Sequence, residues 1–216
     1  MKIVAVLNRK GGVGKTTIST NLARAYQLEG LETVLIDTDE QGTARDWTNT
    51  SDEVEMPVTL GVDRPNIHEQ LPRLHGYDAA VIDGVAKMQE MSASAVKAAD
   101  LVLIPIQPSA ADFWTAGELV DLINTRRKVA GGPEAAFVIS RAITGTNLAG
   151  SAEEALSKLQ FPVLDAQTHQ RVAYPEALGK GLSVIDLDGS SKAAAEIRAL
   201  AEETLTILES ETKTHE

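Results

Sequence analysis

Nine consecutive residues, Arg9-Lys10-Gly11-Gly12-Val13-Gly14-Lys15-Thr16-Thr17, follow the apolar run Ile3-Val4-Ala5-Val6-Leu7 with only Asn8 between. A strand, a glycine-rich loop and a helix start in that order make a cradle for phosphate groups. Glycines let the backbone approach the anion closely, and the loop N–H groups and the positive end of the helix dipole face it. Within this loop Lys15 is placed for the β- and γ-phosphates and the Thr16 hydroxyl for Mg²⁺. The general phosphate-loop pattern asks for glycine five residues before Gly14. Arg9 stands there, and Lys10 followed by two glycines takes its place. A chance glycine-rich turn is the ordinary alternative. It is disfavoured because Ile18, Leu22, Ala25 and Tyr26 follow at the three- and four-residue spacing of an amphipathic helix.

Two acidic motifs join this loop. The run Thr33-Val34-Leu35-Ile36 ends in Asp37-Thr38-Asp39-Glu40-Gln41-Gly42, and residues two apart leave a strand end on the same side. Farther on, Ala79-Ala80-Val81-Ile82 leads into Asp83, the arrangement in which a carboxylate holds Mg²⁺ through water. Aspartate at a strand end is usually turn chemistry. Three such motifs in sequence, each at a strand terminus, point instead to one phosphate site.

The elements that must position these groups are written in the hydrophobic pattern. Strands are expected at 2–7, 32–37, 57–62, 78–83, 101–106, 135–140 and 162–165. Helical patterns lie near 15–29, 66–74, 90–99, 111–129, 151–159 and 190–209. Runs such as Leu101-Val102-Leu103-Ile104 are apolar throughout, as parallel strands covered on both faces require. The alternation predicts an α/β fold, a doubly wound, mostly parallel sheet with helices on both faces and ligand at the carboxyl ends of the strands. The 216 residues suit a single domain over 1–208, with a polar C-terminal tail over 209–216. The absence of cysteine excludes disulfides, thiolate zinc sites and cysteine-ligated clusters. A net charge of −11 gives no general attraction to DNA or anionic lipid, so any nucleic-acid contact needs a local patch. With no signal-like start and no long apolar run, a cytoplasmic location is expected.

Lys10 to Thr17, Asp37 to Gly42 and Tyr77 to Asp83 resemble the deviant Walker A, Walker A′ and Walker B motifs of the ParA/MinD superfamily. Leu101 to Phe113 and Thr168 to Val184 resemble later blocks of small plasmid-partition ATPases of the ParF type. The resemblance implies a P-loop ATPase that hydrolyses ATP to ADP and phosphate with weak intrinsic activity, using Mg²⁺. It also implies a homodimer that sandwiches ATP, nonspecific DNA binding on the nucleoid in the ATP state, and a small cargo- or centromere-binding partner that stimulates hydrolysis. Carried over by position, Lys10, Lys15 and Asp39 are the catalytic set: Lys10 crosses to the other subunit's phosphates and Asp39 positions the attacking water. Gly11, Gly12, Val13, Gly14, Thr16 and Thr17 complete the nucleotide-binding loop. Thr16, Asp37 and Asp83 serve the metal, and Gly11 stays small because a second subunit packs on it. Asp83 is followed by Gly84-Val85-Ala86 where many relatives carry Thr-Pro-Pro, a mark of the subtype.

Arg141, at the end of the strand 135–140, is the candidate adenine contact, with Gln107 at another strand end. Arg126-Arg127-Lys128, Arg171 and Lys180 are the candidate DNA patch. The four histidines have no metal-ligand spacing. A MinD-like membrane role is disfavoured because Ala193, Ile197, Leu200, Ala201, Leu205 and Leu208 form a stripe flanked by Glu196, Glu202, Glu203 and Glu209. DNA partition is therefore the leading expectation. A positioner of a non-DNA cargo such as a protein microcompartment, or a metabolic ATP-dependent enzyme, is the alternative.

Overall fold

The strands of the computed structural model are those of a parallel sheet, and the helices fall on both of its faces. It describes residues 1–212 apart from 51–53, 87–88, 145–155 and 157–158, and the side chains of 110–115, 211 and 212 also lie outside the description. In chain order the elements are β1 (Lys2–Val6), α1 (Lys15–Leu28), β2 (Thr33–Asp37), α2 (Thr43–Thr50), β3 (Val58–Gly61), α3 (Ile67–Gln70) and β4 (Ala79–Asp83). There follow α4 (Gln89–Ala98), β5 (Leu101–Ile106), α5 (Ala110–Ala130), β6 (Glu134–Ile139), α6 (Ala173–Gly179), α7 (Val184–Leu187) and α8 (Lys192–Thr212).

The six strands lie in the order β3-β2-β4-β1-β5-β6, every pair parallel. Strands β2, β4 and β5 are buried along their whole length, which is why their sequences are apolar without alternation. Odd and even positions nevertheless serve different faces. Val4, Val6 and Leu35 join a core with α1, α2, α6 and α8, while Ala5, Val34 and Ile36 join one with α3, α4 and α5. The register sets Val6, Asp37 and Asp83 side by side at the carboxyl ends of β1, β2 and β4. Those ends gather all three motifs.

The expected stripe on the last helix docks as anticipated, with Ala193, Ile197, Leu200, Ala201 and Leu208 buried. The same helix runs on to Thr212. Residues 209–212 are thus its last turn rather than a separate tail, and Lys2 Nζ holds Glu209 at 3.1 Å. The expected strand at 162–165 is reduced to one bridge, Phe137 to Val163, because Pro162 has no N–H to extend a ladder. The helix expected over 66–74 is α3 followed by a 3₁₀ turn, Leu71–Arg73, where Pro72 ends the α-helical bonding. The expected helix at 151–159 lies outside the described residues except for Leu156, which is buried, and Leu159. Helices α2, α6 and α7 were not anticipated. α2 buries Trp47, whose indole N–H donates to the Leu182 carbonyl at 2.9 Å, and truncating it to alanine would cost about 3–5 kcal/mol.

Candidate functional site

The loop between β1 and α1 turns through two glycines with left-handed backbone, Gly12 (φ +77°) and Gly14 (φ +92°), a region that a side chain would strain. Gly14 caps α1 without a side chain to satisfy the amides of the first turn, so those N–H groups are left for an anion. The loop is braced from outside. The Asn8 carboxamide accepts from Lys10 N at 2.9 Å and donates to Pro105 O at 2.8 Å. Ser140 Oγ donates to Val13 O at 2.7 Å, and Gln107 Nε2 and Arg141 Nη1 both donate to Gly12 O, at 3.0 and 2.9 Å. Arg141 itself has φ +54°, a conformation rare for a side-chain-bearing residue outside functional sites. Its guanidinium braces the phosphate loop, and the residue also lines the cavity described below. Gly11 differs from its neighbours: its φ is not left-handed, and a Cβ there would meet nothing within 4 Å. Among the described residues, nothing within this chain crowds a side chain there.

Lys15 is buried, and its ammonium donates to Lys10 O at 3.0 Å. Burial pushes its pKa down, while the carboxylates of Asp83 and Asp39 pull it up. Asp83 is buried behind Thr16 and accepts from its hydroxyl and from Ser19 Oγ, the latter at 3.0 Å. Burial pushes the Asp83 carboxyl up to about 7, and neighbouring Asp37 adds to the rise. A divalent cation at Thr16 would favour the ionised form. Thr38, between the two aspartates of its motif, ties the second and third motifs together. Its Oγ1 donates to Asp83 O at 2.7 Å and accepts from Val85 N at 3.1 Å. The glycine after Asp83 also has a steric reason. A Cβ on Gly84 would lie 2.4 Å from Leu7 Cδ2 and 2.8 Å from Val6 O. The end of β4 here closes on β1 too tightly for a side chain at this position.

Asp37 is buried, with Oδ1 accepting from Asp39 N at 3.0 Å and Oδ2 from Arg45 N at 3.1 Å and Arg45 Nε at 3.3 Å. Asp39 lines an open cavity of about 960 Å³ together with Gly11, Gly12, Gly14, Lys15 and Thr16. Among the described residues no group of three or more histidine, aspartate or glutamate side chains could hold a metal alone. Magnesium at Thr16 would accordingly take much of its shell from nucleotide phosphates and water, and the donors present fit that arrangement.

The far wall of the cavity is Thr168–Val172 with Tyr174 and Pro175; backbone bonds tie it to Ile139 and Ala142, and one carboxylate of α8 gathers its side chains. Glu196 accepts from His169 N at 3.1 Å, Arg171 Nε at 2.9 Å and Tyr174 Oη at 2.8 Å, and pairs with His169 Nδ1 at 2.8 Å. Burial alone would raise the pKa of Glu196, but the bonds from Arg171, His169 N and Tyr174 together hold it below the usual range. Sequence reasoning missed this hub, and it missed Asn8, Ser19 and Arg45.

The candidate DNA patch does not assemble. Arg171 pairs with Glu196 and Lys180 with Glu176. Arg127 pairs with Glu134 and packs over the Phe161 ring, 5.5 Å from its centroid. The Arg126–Lys128 triplet ends α5, which starts beside the carboxyl end of β5 and runs back to the opposite end of the sheet.

The profile of the CobQ/CobB/MinD/ParA nucleotide binding domain matches residues 4–185. Maintenance of carboxysome distribution protein A of Gloeobacter kilaueensis is 32% identical over 213 residues, spanning 94% of this chain and 93% of that protein. The protein of the same name from Halothiobacillus neapolitanus is 28% identical over 197 residues, spanning 89% and 91%. Among solved structures, the septum site-determining protein MinD of Pyrococcus horikoshii, complexed with Mg-ADP, superposes with a TM-score of 0.75 at 19% identity, covering 94% of this chain and 95% of that one.

Proposed function

The chain belongs to the CobQ/CobB/MinD/ParA nucleotide-binding family, and from that premise we propose that it is a positioning ATPase whose cargo is a protein assembly rather than DNA. It is an ATPase of the ParA/MinD type. The finer reading, a cargo of the microcompartment class, rests on one observation: both relatives named for carboxysome distribution match about nine-tenths or more of each chain. This replaces plasmid partition of the ParF type as the leading reading. The matched names do not specify that type.

The site supplies the chemistry. Phosphoryl transfer needs positioning and charge neutralisation more than covalent steps. Lys15, bonded to a loop carbonyl in the free protein, exchanges that acceptor for the β- and γ-phosphate oxygens. Lys10, Gly11, Gly12, Val13, Gly14, Thr16 and Thr17 form the rest of the nucleotide cradle, with Arg141 holding its shape. Thr16, with Asp83 behind it and Asp37 adding negative charge, would hold Mg²⁺, which would supply neutralising charge at the phosphates. Asp39, on the cavity wall, orients the attacking water. Lys10 reaches the phosphates of a second subunit and couples hydrolysis to dimerisation. The open space over Gly11 fits a partner packing there. ATP-dependent dimers bind nucleoid DNA without sequence preference, and a cargo-bound partner protein triggers release.

Deleting the gene in its native cell, with fluorescent protein shells and a reporter replicon followed together, distinguishes the cargoes. Clustering of the shells with normal replicon retention is expected. Replicon loss with evenly spaced shells would return the assignment to DNA partition, the reading favoured by the sequence blocks Leu101–Phe113 and Thr168–Val184.

A further inference from the structure

Arg45 sits in the first turn of α2, just past the loop that carries Asp39. Its guanidinium reaches back across that loop. Nε and the backbone N donate to Asp37 Oδ2, and Nη2 donates to Asp39 O at 2.9 Å and to Glu40 O at 3.4 Å. One fork therefore holds the buried carboxylate on one side of Asp39 and the carbonyls of Asp39 and its successor on the other. Asp39 has little other freedom, since its N–H donates to Asp37 and its carboxylate accepts from Gln41 N at 3.0 Å.

The seat of this guanidinium is kept clear by glycines. At Gly42 (φ +71°) a Cβ would stand 2.9 Å from Arg45 Nη2. At Gly61, the last residue of β3, the backbone is not left-handed, and the three atoms nearest a Cβ all belong to Arg45, the closest at 3.0 Å. Gly61 thus has one evident reason to be glycine, and it is the side chain of Arg45. Two chain segments leave room for one fork whose acceptors are all in the Asp39 loop.

We infer that Arg45 is a positioning residue for hydrolysis: through Asp37 and the carbonyls of Asp39 and Glu40 it fixes where the Asp39 carboxylate stands in the cavity. The inference rests on the water-orienting role assigned to Asp39 above. Arg45 does not line the cavity, so its influence on the reacting groups runs through the Asp39 loop. A fork of five fixed donors can bridge these acceptors at once, whereas the single ammonium of lysine cannot.

The test is single-turnover hydrolysis of MgATP by the full chain and by Asp39→Ala, Arg45→Met, Arg45→Lys and Gly61→Ala, with ATP affinity by calorimetry and melting temperature for each. Misplacing a catalytic group by about 1 Å costs roughly 100-fold. Arg45→Met is therefore expected to lose roughly 10- to 100-fold in rate with ATP affinity unchanged. Arg45→Lys restores a cation beside Asp37, so it should regain melting temperature without regaining rate. Gly61→Ala, which alters neither the loop nor any charge, should slow hydrolysis in the same direction and less. A rate that simply tracks melting temperature across the series overturns the inference, as does normal turnover in Arg45→Lys and Gly61→Ala. If those two are normal while Asp39→Ala is slow, only the role of Arg45 is lost. Normal turnover in Asp39→Ala removes the reading of Asp39 and the inference with it.

Discussion

The two walls of the nucleotide cavity are built by different means. The phosphate wall consists of three strand ends, β1, β2 and β4, in one register, and each contributes a group from its own motif. The far wall has no strand. Thr168–Val172 joins the edge of the sheet at the bridge of Ala142 to His169 and through the bond from Thr168 N to Ile139 O, and its side chains and His169 N converge on Glu196 of α8. The first wall is rigid because it continues the sheet. The second rests on a few backbone bonds at the sheet edge and on one carboxylate that gathers its side chains. Loss of a group on the phosphate wall should therefore abolish a function, and loss of the latch should weaken one.

The largest effect is expected from Lys15→Ala. Removing the buried cation of the loop should cost about 3 kcal/mol or more, roughly 100-fold in ATP affinity. Near-native affinity by calorimetry would sink the phosphate site itself. Next come Lys10→Ala and Gly11→Val, which should bind ATP yet fail to dimerise. Since a Cβ at Gly11 meets nothing in its own chain, Gly11→Val should also keep the wild-type melting temperature. Stable dimers of both variants with a nonhydrolysable ATP analogue, seen by sedimentation, would remove the cross-subunit role.

Glu196→Gln sharpens the contrast between the walls. It weakens the bonds to Arg171, His169 and Tyr174 together, so KM for ATP should rise while kcat holds. The melting temperature should fall by roughly 3–6 °C, for about 1–2 kcal/mol lost in a chain of this size. A fall in kcat with KM unchanged would show the far wall acting on chemistry instead of on binding.

A smaller effect concerns acid. The folded-state pKa of Glu196 is held below its ordinary value of 4.5. Its contribution is thus present in full above the unfolded pKa and is lost as pH falls through the folded one. Melting temperature should drop below about pH 4.5 less steeply in Glu196→Gln than in wild type. Equal slopes would show that the latch contributes no pH-linked stability. The smallest expected change is none. Neutralising Arg126, Arg127 and Lys128 together should leave ATP-dependent retention of random duplex unaltered, because the triplets lie away from the phosphate face. A flattened salt dependence would reinstate them as phosphate contacts.

The comparison also shows which parts of the molecule were legible in the chain. The phosphate loop, the two acidic motifs and all six strands could be read because each is specified locally. Glycine spacing encodes a turn, an apolar run encodes a doubly covered strand, and an aspartate at its end encodes a carboxylate at the rim. One missed element was legible too: Ser183 and Asp186 form a capping box at the start of α7, a spacing visible in the sequence. Helix α2 hid behind a polar stretch with Ala44 and Trp47 as its only buried residues.

What the sequence determined by itself was the chemistry of phosphate binding, since those groups lie within a few residues of one another and their geometry follows from short-range backbone rules. What only the tertiary structure decided was how the groups are held. Arg141, expected at the base, also braces Gly12, 129 residues away. Glu196 came to hold Arg171, 25 residues earlier. Gly84 acquired its reason from Leu7 and Val6 on a neighbouring strand. Contacts of this kind depend on how two faces pack once the sheet has closed, and no periodicity along the chain carries that information.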